Sequence, residues 1–209
     1  MTVSAVGALE HRRTRKTAVA LSETFQPPLV LSALFVTMPP LAQDAGLAGA
    51  LWGLLGACAV CLLPFAAVII LARRGVLSDH HVSDKKQRAP IMAATFALTA
   101  LYMMALLTWQ GPMILMALAV AFASGMVGLI LISPWWKISG HAMTAGSMGA
   151  IAFLSWGPWA LVAIPMCIAV CISRVVLRAH TLAQVAAGAA FGATVIGGIY
   201  AMMYRLLVG

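Results

Sequence analysis

The sequence predicts an all-α integral membrane protein with about six to seven transmembrane helices. Of its 209 residues, 63% are hydrophobic and 9% are charged, and the mean hydropathy is +1.00. A soluble domain of this length could not bury so much apolar surface. Long apolar runs also alternate with short polar or turn-forming sequences, as expected for a bundle of helices in a bilayer.

Apolar runs define seven predicted helices, each judged against the roughly 20 residues that one crossing needs. The first and fifth are short, and Pro39-Pro40 interrupts the end of the first. Turn sequences such as Trp156-Gly157-Pro158 separate neighbouring runs. Gly188 and Gly192 are spaced to let helices pack closely. The predicted helices cover residues 28–43, 47–72, 90–109, 112–133, 141–156, 158–174 and 183–206.

The first 24 residues are polar and basic, and they lack the long apolar core and cleavage site of a secretory signal. We expect residues 1–24 to be a basic cytoplasmic tail and residues 25–209 to form one transmembrane domain. The formal net charge is +8, but the basic residues are divided among loops. Membrane lipid headgroups and a phosphate substrate explain this charge better than nucleic acid does.

Three short polar islands carry the functional signal, at residues 84–90, 137–141 and 173–184. Ionisable groups at membrane boundaries are costly to bury and usually face a polar cavity. Two predicted helices separate each island from the next, so all three islands should emerge on one face. All the Lys and Arg residues except Arg205 lie on that face, which should therefore be cytoplasmic. Seven crossings would place the C-terminus on the opposite side.

The islands contain the groups that phosphoryl transfer needs, which are mainly cations and donors around the phosphate oxygens. Arg88 and Arg174 offer bidentate donors that remain charged. Ser139 and the amide of Gly140 add neutral donors. A neutral histidine can attack phosphorus, and a second, protonated histidine can serve the leaving oxygen.

Two of the islands resemble the motifs of the PAP2 superfamily, the type 2 phosphatidic acid phosphatases. The second family motif, Pro-Ser-Gly-His, reads Ile138-Ser139-Gly140-His141 here. The third is Ser-Arg, five residues, His, three residues, Asp. Here it reads Ser173-Arg174, five residues, His180, three residues, Gln184. The resemblance covers roughly residues 78–200 and implies a PAP2-like helical bundle.

The first motif departs from the family pattern of Lys, six residues, Arg-Pro. Ala89 separates Arg88 from Pro90, and His81 stands where the family has lysine. Lys85, on the helix face of Arg88, or Lys137 is expected to supply the missing cation. These departures resemble those of an atypical bacterial branch, which implies a bacterial inner membrane.

The resemblance implies that His180 forms a phosphohistidine and that His141 protonates the leaving group, with no metal or cofactor. In the family an aspartate orients the nucleophilic histidine. Gln184 can fix the ring tautomer but supplies no negative charge, so we expect a weaker nucleophile. The implied function is a membrane phosphatase that hydrolyses a lipid phosphate or an isoprenyl (di)phosphate.

Two alternatives stay open. The same phosphate pocket could serve a lyase, cyclase or transferase that acts on a prenyl diphosphate. Asp79 and Asp84 could hold magnesium for prenyl transfer, but no second aspartate-rich motif accompanies them. The other alternative is a non-catalytic protein that binds a lipid phosphate, which Gln184 favours. Product analysis distinguishes a free alcohol from a hydrocarbon, and binding without turnover would indicate the non-catalytic protein.

Overall fold

A computed structural model describes residues 2–41, 46–77 and 85–208 of the chain. Within these ranges the side chains of residues 2–9, 11, 41 and 85–89 lie outside the description. The described residues form helices and no strands, which confirms the predicted all-α class. Helices α1 to α8 are Thr2–Thr24, Pro27–Thr37, Gly46–Arg73, Lys85–Thr108, Met113–Ile132, Gly140–Trp156, Ile164–Val176 and Leu182–Leu207.

Most helices match the apolar runs closely, and the first and sixth predicted helices differ most. Helix α7 starts at Ile164, six residues later than predicted, because a 3-10 segment occupies Gly157–Ala163. Helix α2 ends at Thr37, and a short 3-10 turn follows over Pro39–Leu41. Proline has no backbone N–H to donate, so these two prolines end the regular helix before residue 43. Turns of π-helix at Ala57–Leu62 and Gly192–Ile196 interrupt α3 and α8 without ending them.

Five helical stretches of the described chain are long and apolar enough to cross a membrane. There are six if Arg12–Thr24 and Pro27–Thr37, which meet at 45°, count as one broken span. One of the five is the stretch Gly140–Val176, which includes α6, a 3-10 segment and α7. The predicted helical membrane bundle is therefore confirmed.

The stretch Gly140–Val176 folds back on itself. Gly157 has a φ of +66°, a conformation that favours glycine, and it follows the end of α6 directly. Beyond this turn the Cys167 thiol lies 3.1 Å from the carbonyl oxygen of Ala145. Residues 145 and 167 are nearly equidistant from the turn, so α6 and α7 form an antiparallel hairpin. The sequence correctly predicted two separate helices here.

Residues 2–24 form helix α1, which the sequence analysis treated only as a polar tail. Arg12, Arg13, Arg15 and Lys16 on this helix are exposed. Ala18 and Ser22, which lie one helical turn apart, are buried, and α1 packs against α7. The buried face of α1 is short and partly polar, so it gives little hydropathy signal.

Helix α6 lies at the centre of the C-terminal half, where it contacts α2, α7 and α8. Backbones approach closely at its contact with α8. A Cβ atom added at Gly192 would overlap the carbonyl oxygen of Met143, and one at Gly188 would lie 2.6 Å from the carbonyl oxygen of Ser139. The predicted packing role of these two glycines is confirmed, and they hold the start of α6 against the first half of α8.

Candidate functional site

The candidate site begins at the N-terminus of α6. Ser139 is fully buried and caps this helix, with its Oγ accepting from the Ala142 amide at 3.4 Å. Gly140 and His141 form the first turn, where the backbone amides point out of the start of the helix. The helix dipole adds partial positive charge at this end. A helix start of this kind attracts an anion.

A tight turn between α7 and α8 positions His180. The carbonyl oxygen of Arg174 accepts from the amides of Ala179 and His180, at 3.1 and 3.3 Å. Arg178 has a φ of +55°, the left-handed conformation that closes such a helix end. The turn therefore brings His180 back toward the end of the helix that carries Arg174.

Helix α8 then starts with a capping box. Thr181 Oγ1 accepts from the Gln184 amide at 3.3 Å, and Gln184 Oε1 accepts from the Thr181 amide at 3.1 Å. The Thr-x-x-Gln sequence favours this arrangement. Gln184 thus has a structural task at the helix start, which the sequence analysis did not anticipate.

Two hydrogen bonds bring the second and third islands together. The Ser139 amide donates to the carbonyl oxygen of Gln184 at 3.3 Å. His180 Nδ1 lies 3.2 Å from the carbonyl oxygen of Lys137. A carbonyl oxygen only accepts, so Nδ1 must carry the proton, and the lone pair of a neutral ring is then on Nε2.

The surroundings of His180 favour its neutral form. Burial lowers the pKa of His180 most strongly, and the nearby positive charges of Arg174 and Lys137 lower it further. The hydrogen bond to the Lys137 carbonyl and a smaller one to Gln184 act in the opposite direction, without reversing the shift. The pKa of His180 therefore lies below its ordinary value, and the ring is neutral at pH 7.

Arg174 is buried, with 6% of its surface exposed. Its Nη1 donates to Ser22 Oγ, and the carboxylate of Glu23 lies close enough to interact electrostatically. Its Nε is buried and has no hydrogen-bond partner among the described residues. A buried guanidinium donor is costly to leave unsatisfied. This donor is accounted for if an anion binds beside Arg174.

The end of α1 contributes polar groups that the sequence analysis missed. Ser22 is 1% exposed, and Gln26 is 4% exposed and donates through Nε2 to the Glu23 carboxylate. The only sequence signal was a polar Ser-Glu pair and a glutamine just before the first apolar run. The hydrogen bond from Arg174 to Ser22 joins residues 152 positions apart, so it can be recognised only in the structure.

The remaining predicted residues are less closely constrained. His141 is half-buried in the first turn of α6, and Lys137 is exposed. Lys85 and Arg88 begin α4, but their side chains lie outside the described residues. Asp79, His81 and Asp84 also lie outside them. The roles predicted for the first island therefore remain predictions. Within the described ranges, no group of three His, Cys, Asp or Glu residues could hold a metal ion.

Comparison with known proteins supports the motif assignment. No curated protein and no solved structure matches the chain. A family model, that of the PAP2 superfamily, matches residues 130–207. The matched segment runs from the end of α5 through α8 and contains both the Ser-Gly-His and the Ser-Arg-His motifs. PAP2 is a helical membrane fold whose members generally act as phosphatases. Residues 130–207, which carry both motifs, therefore match the PAP2 superfamily.

Proposed function

We propose that this protein is a membrane phosphatase that hydrolyses a lipid phosphate or an isoprenyl (di)phosphate through a phosphohistidine at His180. The observation that carries the proposal is the 3.2 Å contact between His180 Nδ1 and the Lys137 carbonyl oxygen. It favours a neutral ring with its lone pair on Nε2, in the tautomer that a nucleophile needs. The partly satisfied Arg174 nearby supplies positive charge for a phosphate.

In the first step, His180 Nε2 attacks phosphorus, a P–N bond forms and the bond from phosphorus to the leaving oxygen breaks. His141 gives its proton to that oxygen, which leaves as an alcohol or a phosphate. The Lys137 carbonyl holds the Nδ1 proton while the ring becomes positively charged. In the second step, water attacks phosphorus, gives a proton to His141, and the P–N bond breaks to release inorganic phosphate.

Charge on the phosphate oxygens is neutralised by groups on three sides in this proposal. Arg174 contributes its guanidinium, and Ser139 and the Gly140 amide contribute the start of α6. Arg88 and either Lys85 or Lys137 are assigned the remaining side. A site with this many fixed donors is preorganised for the charge that spreads over the oxygens in the transition state.

The site lies at one end of α6, α7 and α8. Because these helices are apolar along their lengths, that end should lie at a membrane boundary. Its phosphate can then sit near the headgroups while the rest of the substrate stays in the lipid. The distribution of basic residues favours the cytoplasmic face. We assign the protein to the bacterial inner membrane on the strength of the family resemblance.

A test compares wild-type protein with His180→Ala in detergent, using release of inorganic phosphate from lipid and prenyl phosphates. Wild type should release phosphate and the free alcohol, and His180→Ala should release neither. Leu182→Ala is a matched control two residues away, since Leu182 is exposed. Full phosphatase activity in His180→Ala would refute the covalent mechanism. A hydrocarbon or cyclic product would indicate a synthase, and binding without turnover would indicate a non-catalytic protein.

A further inference from the structure

Helix α1 carries a cluster of exposed basic residues that the proposed mechanism does not use. No acidic residue occurs in residues 11–22 to neutralise this basic cluster. Several cations so close together on a helix create a strongly positive surface, which attracts an anionic partner. The basic cluster consists of Arg12, Arg13, Arg15 and Lys16, and all four are exposed.

The basic cluster includes the side of α1 that faces away from the rest of the protein. Ala18 and Ser22 form the buried side, which packs against α7. Successive residues of an α-helix are about 100° apart, so Arg13 lies roughly opposite Ser22 and Lys16 roughly opposite Ala18. A ligand can therefore bind Arg13 and Lys16 without disturbing the contact of α1 with α7.

The same side of α1 changes from basic to apolar within one turn. Val19 and Ala20 follow Lys16 by three and four positions, so they lie on its face of the helix, and both are exposed. The segments Arg12–Thr24 and Pro27–Thr37 could together form one broken span, bent by 45°. Basic residues beside an exposed apolar stretch are typical of a helix that passes from the headgroups into the hydrocarbon of a bilayer. The basic cluster therefore belongs at the level of the headgroups.

The basic cluster is close to the candidate phosphate site but separate from it. Ser22, whose Oγ accepts from Arg174 Nη1, follows Lys16 by six positions. Six residues of α-helix rise about 9 Å at about 1.5 Å per residue. One phosphate at Lys16 and another at Arg174 could therefore be bound at the same time.

We infer that the basic cluster binds the headgroups of anionic phospholipids, and that the bound lipid activates the site through Ser22 without being the substrate. Clusters of about four to eight basic residues directly beside a membrane helix are typical of segments that bind anionic lipid. An acidic protein or a nucleic acid would not account for the exposed Val19 and Ala20. The activation rests on the proposed phosphatase function, whereas the lipid binding does not.

Activation follows from how lipid binding fixes the rotation of α1. Among its described residues, the fully buried side chains are those of Ala18 and Ser22, which are small and contribute little hydrophobic free energy. A rotation that moved Ser22 away from Arg174 would also turn Arg13 away from the headgroups. Bound lipid therefore favours the arrangement in which Ser22 holds Arg174, because a ligand stabilises the conformation that it binds more tightly.

The first test measures lipid binding and needs no catalysis. Wild-type protein in dodecyl maltoside is titrated with dioleoyl phosphatidylglycerol or dioleoyl phosphatidylcholine, and native mass spectrometry counts the bound lipids. The triple variant Arg12→Gln, Arg13→Gln, Lys16→Gln should bind phosphatidylglycerol at the tightest site on the order of a hundredfold more weakly, from roughly fivefold for each lost charge. Binding of phosphatidylcholine should not change.

Two matched variants show whether the effect depends on the charge of α1. Arg12→Lys with Arg13→Lys keeps both charges and should bind phosphatidylglycerol as wild type does. Arg73→Gln with Arg74→Gln removes two exposed charges at the end of α3 and should retain the tightest site. Equal affinity of wild type and the triple variant for phosphatidylglycerol would overturn the inference.

The second test measures activation in nanodiscs made of phosphatidylcholine alone or of equal parts of phosphatidylcholine and phosphatidylglycerol. The substrate is p-nitrophenyl phosphate, which an anionic surface repels from every variant. The measured quantity is therefore the ratio of kcat/KM between wild type and the triple variant in the same nanodiscs. Phosphatidylglycerol should raise this ratio severalfold, up to the roughly tenfold loss expected when Arg174 is held less firmly.

Ser22→Ala separates lipid binding from its effect on the site. This variant should bind phosphatidylglycerol as tightly as wild type does, but phosphatidylglycerol should not activate it. The same activity ratio in both kinds of nanodisc would overturn the activation while leaving the phosphatase intact. Absence of hydrolysis by every protein would instead refute the proposed function, and the binding titration would still decide whether α1 binds anionic lipid.

Discussion

Removing the Ser22 hydroxyl should weaken both folding and phosphate binding, although Ser22 is remote from the PAP2 motifs in sequence. Ser22 is 1% exposed and accepts a hydrogen bond from Arg174 Nη1, and Arg174 is 6% exposed. A hydrogen bond to a charged group contributes about 1.5–3 kcal/mol. We expect Ser22→Ala to lower the free energy of unfolding by about this amount. Titration with SDS in mixed micelles would measure it.

The same change should loosen the guanidinium that is proposed to bind phosphate. A loss of about 1.4 kcal/mol in phosphate binding corresponds to a tenfold weaker interaction. We therefore expect KM to rise about tenfold for Ser22→Ala, with a smaller change in kcat, and inhibition by vanadate to weaken in parallel. Ser22→Thr keeps the hydroxyl and should restore most of the affinity.

Ser32→Ala is a matched control for Ser22→Ala. The Ser32 hydroxyl donates to the Pro28 carbonyl oxygen at 2.7 Å within α2 and does not contact Arg174. Loss of the Ser32 hydroxyl should leave KM unchanged. If Ser22→Ala and Ser32→Ala had the same KM and the same stability, the proposed coupling of α1 to Arg174 would be wrong.

Four further outcomes test the chemistry. Burial lowers the pKa of His180, so kcat/KM should fall only below the ordinary histidine pKa of about 6.5, and a loss of activity centred above that value would contradict this. Gln184→Asp adds a carboxylate near the ring, which should raise the pKa of His180 and move the acid limb of the pH–rate profile upward; an unmoved limb would show that residue 184 does not act on the ring. His141→Ala should slow hydrolysis of a lipid phosphate more than that of p-nitrophenyl phosphate, and equal losses would argue against its role as general acid. Activity should survive EDTA and be inhibited by vanadate, whereas magnesium-dependent recovery after chelation would favour prenyl transfer.

The membrane helices could be predicted from the sequence because the bilayer imposes a minimum apolar length. Hydropathy located every helix after α1, although Pro39 and Pro40 end α2 early, α4 starts five residues before the predicted position and α7 starts six residues after it. It also placed the turn at Gly157, because a Gly-Pro pair between two apolar runs permits few other structures. Helix α1 was missed because its composition is polar and its buried face is short.

The side chains of the candidate site could be predicted from the sequence. The hydrogen bonds that involve its backbone could not. The spacing of Ser139, His141, Arg174 and His180 identified the two motifs that the structure brings together. The acceptor at His180 Nδ1 is a main-chain carbonyl, and its position follows from how α6 and α8 pack. Any residue at position 137 would supply the same carbonyl, so no side-chain pattern could reveal it. The hydrogen bond between the Ser22 and Arg174 side chains was hidden for a different reason, because the two residues are 152 positions apart and only the packing of α1 against α7 brings them together.

Gln184 shows most clearly how the role expected from the sequence differs from the role seen in the structure. By comparison with the aspartate of the family, Gln184 was expected to fix the tautomer of the His180 ring. In the structure its side chain completes the capping box of α8, and the Lys137 carbonyl faces Nδ1. The smaller hydrogen bond of Gln184 to His180 remains. Gln184→Ala should therefore lower the stability of the helix start by about 0.3–1.5 kcal/mol, and it should also alter the surroundings of His180.

The most direct test of the central claim is to trap the covalent intermediate. Wild-type protein is quenched with base during turnover of a lipid phosphate, and phosphorus NMR and mass spectrometry locate the phosphoryl group. We predict an acid-labile phosphoramidate on Nε2 of His180, which is absent from His180→Ala. Phosphate bound to another residue, or rapid turnover with no phosphoenzyme at any quench time, would contradict it.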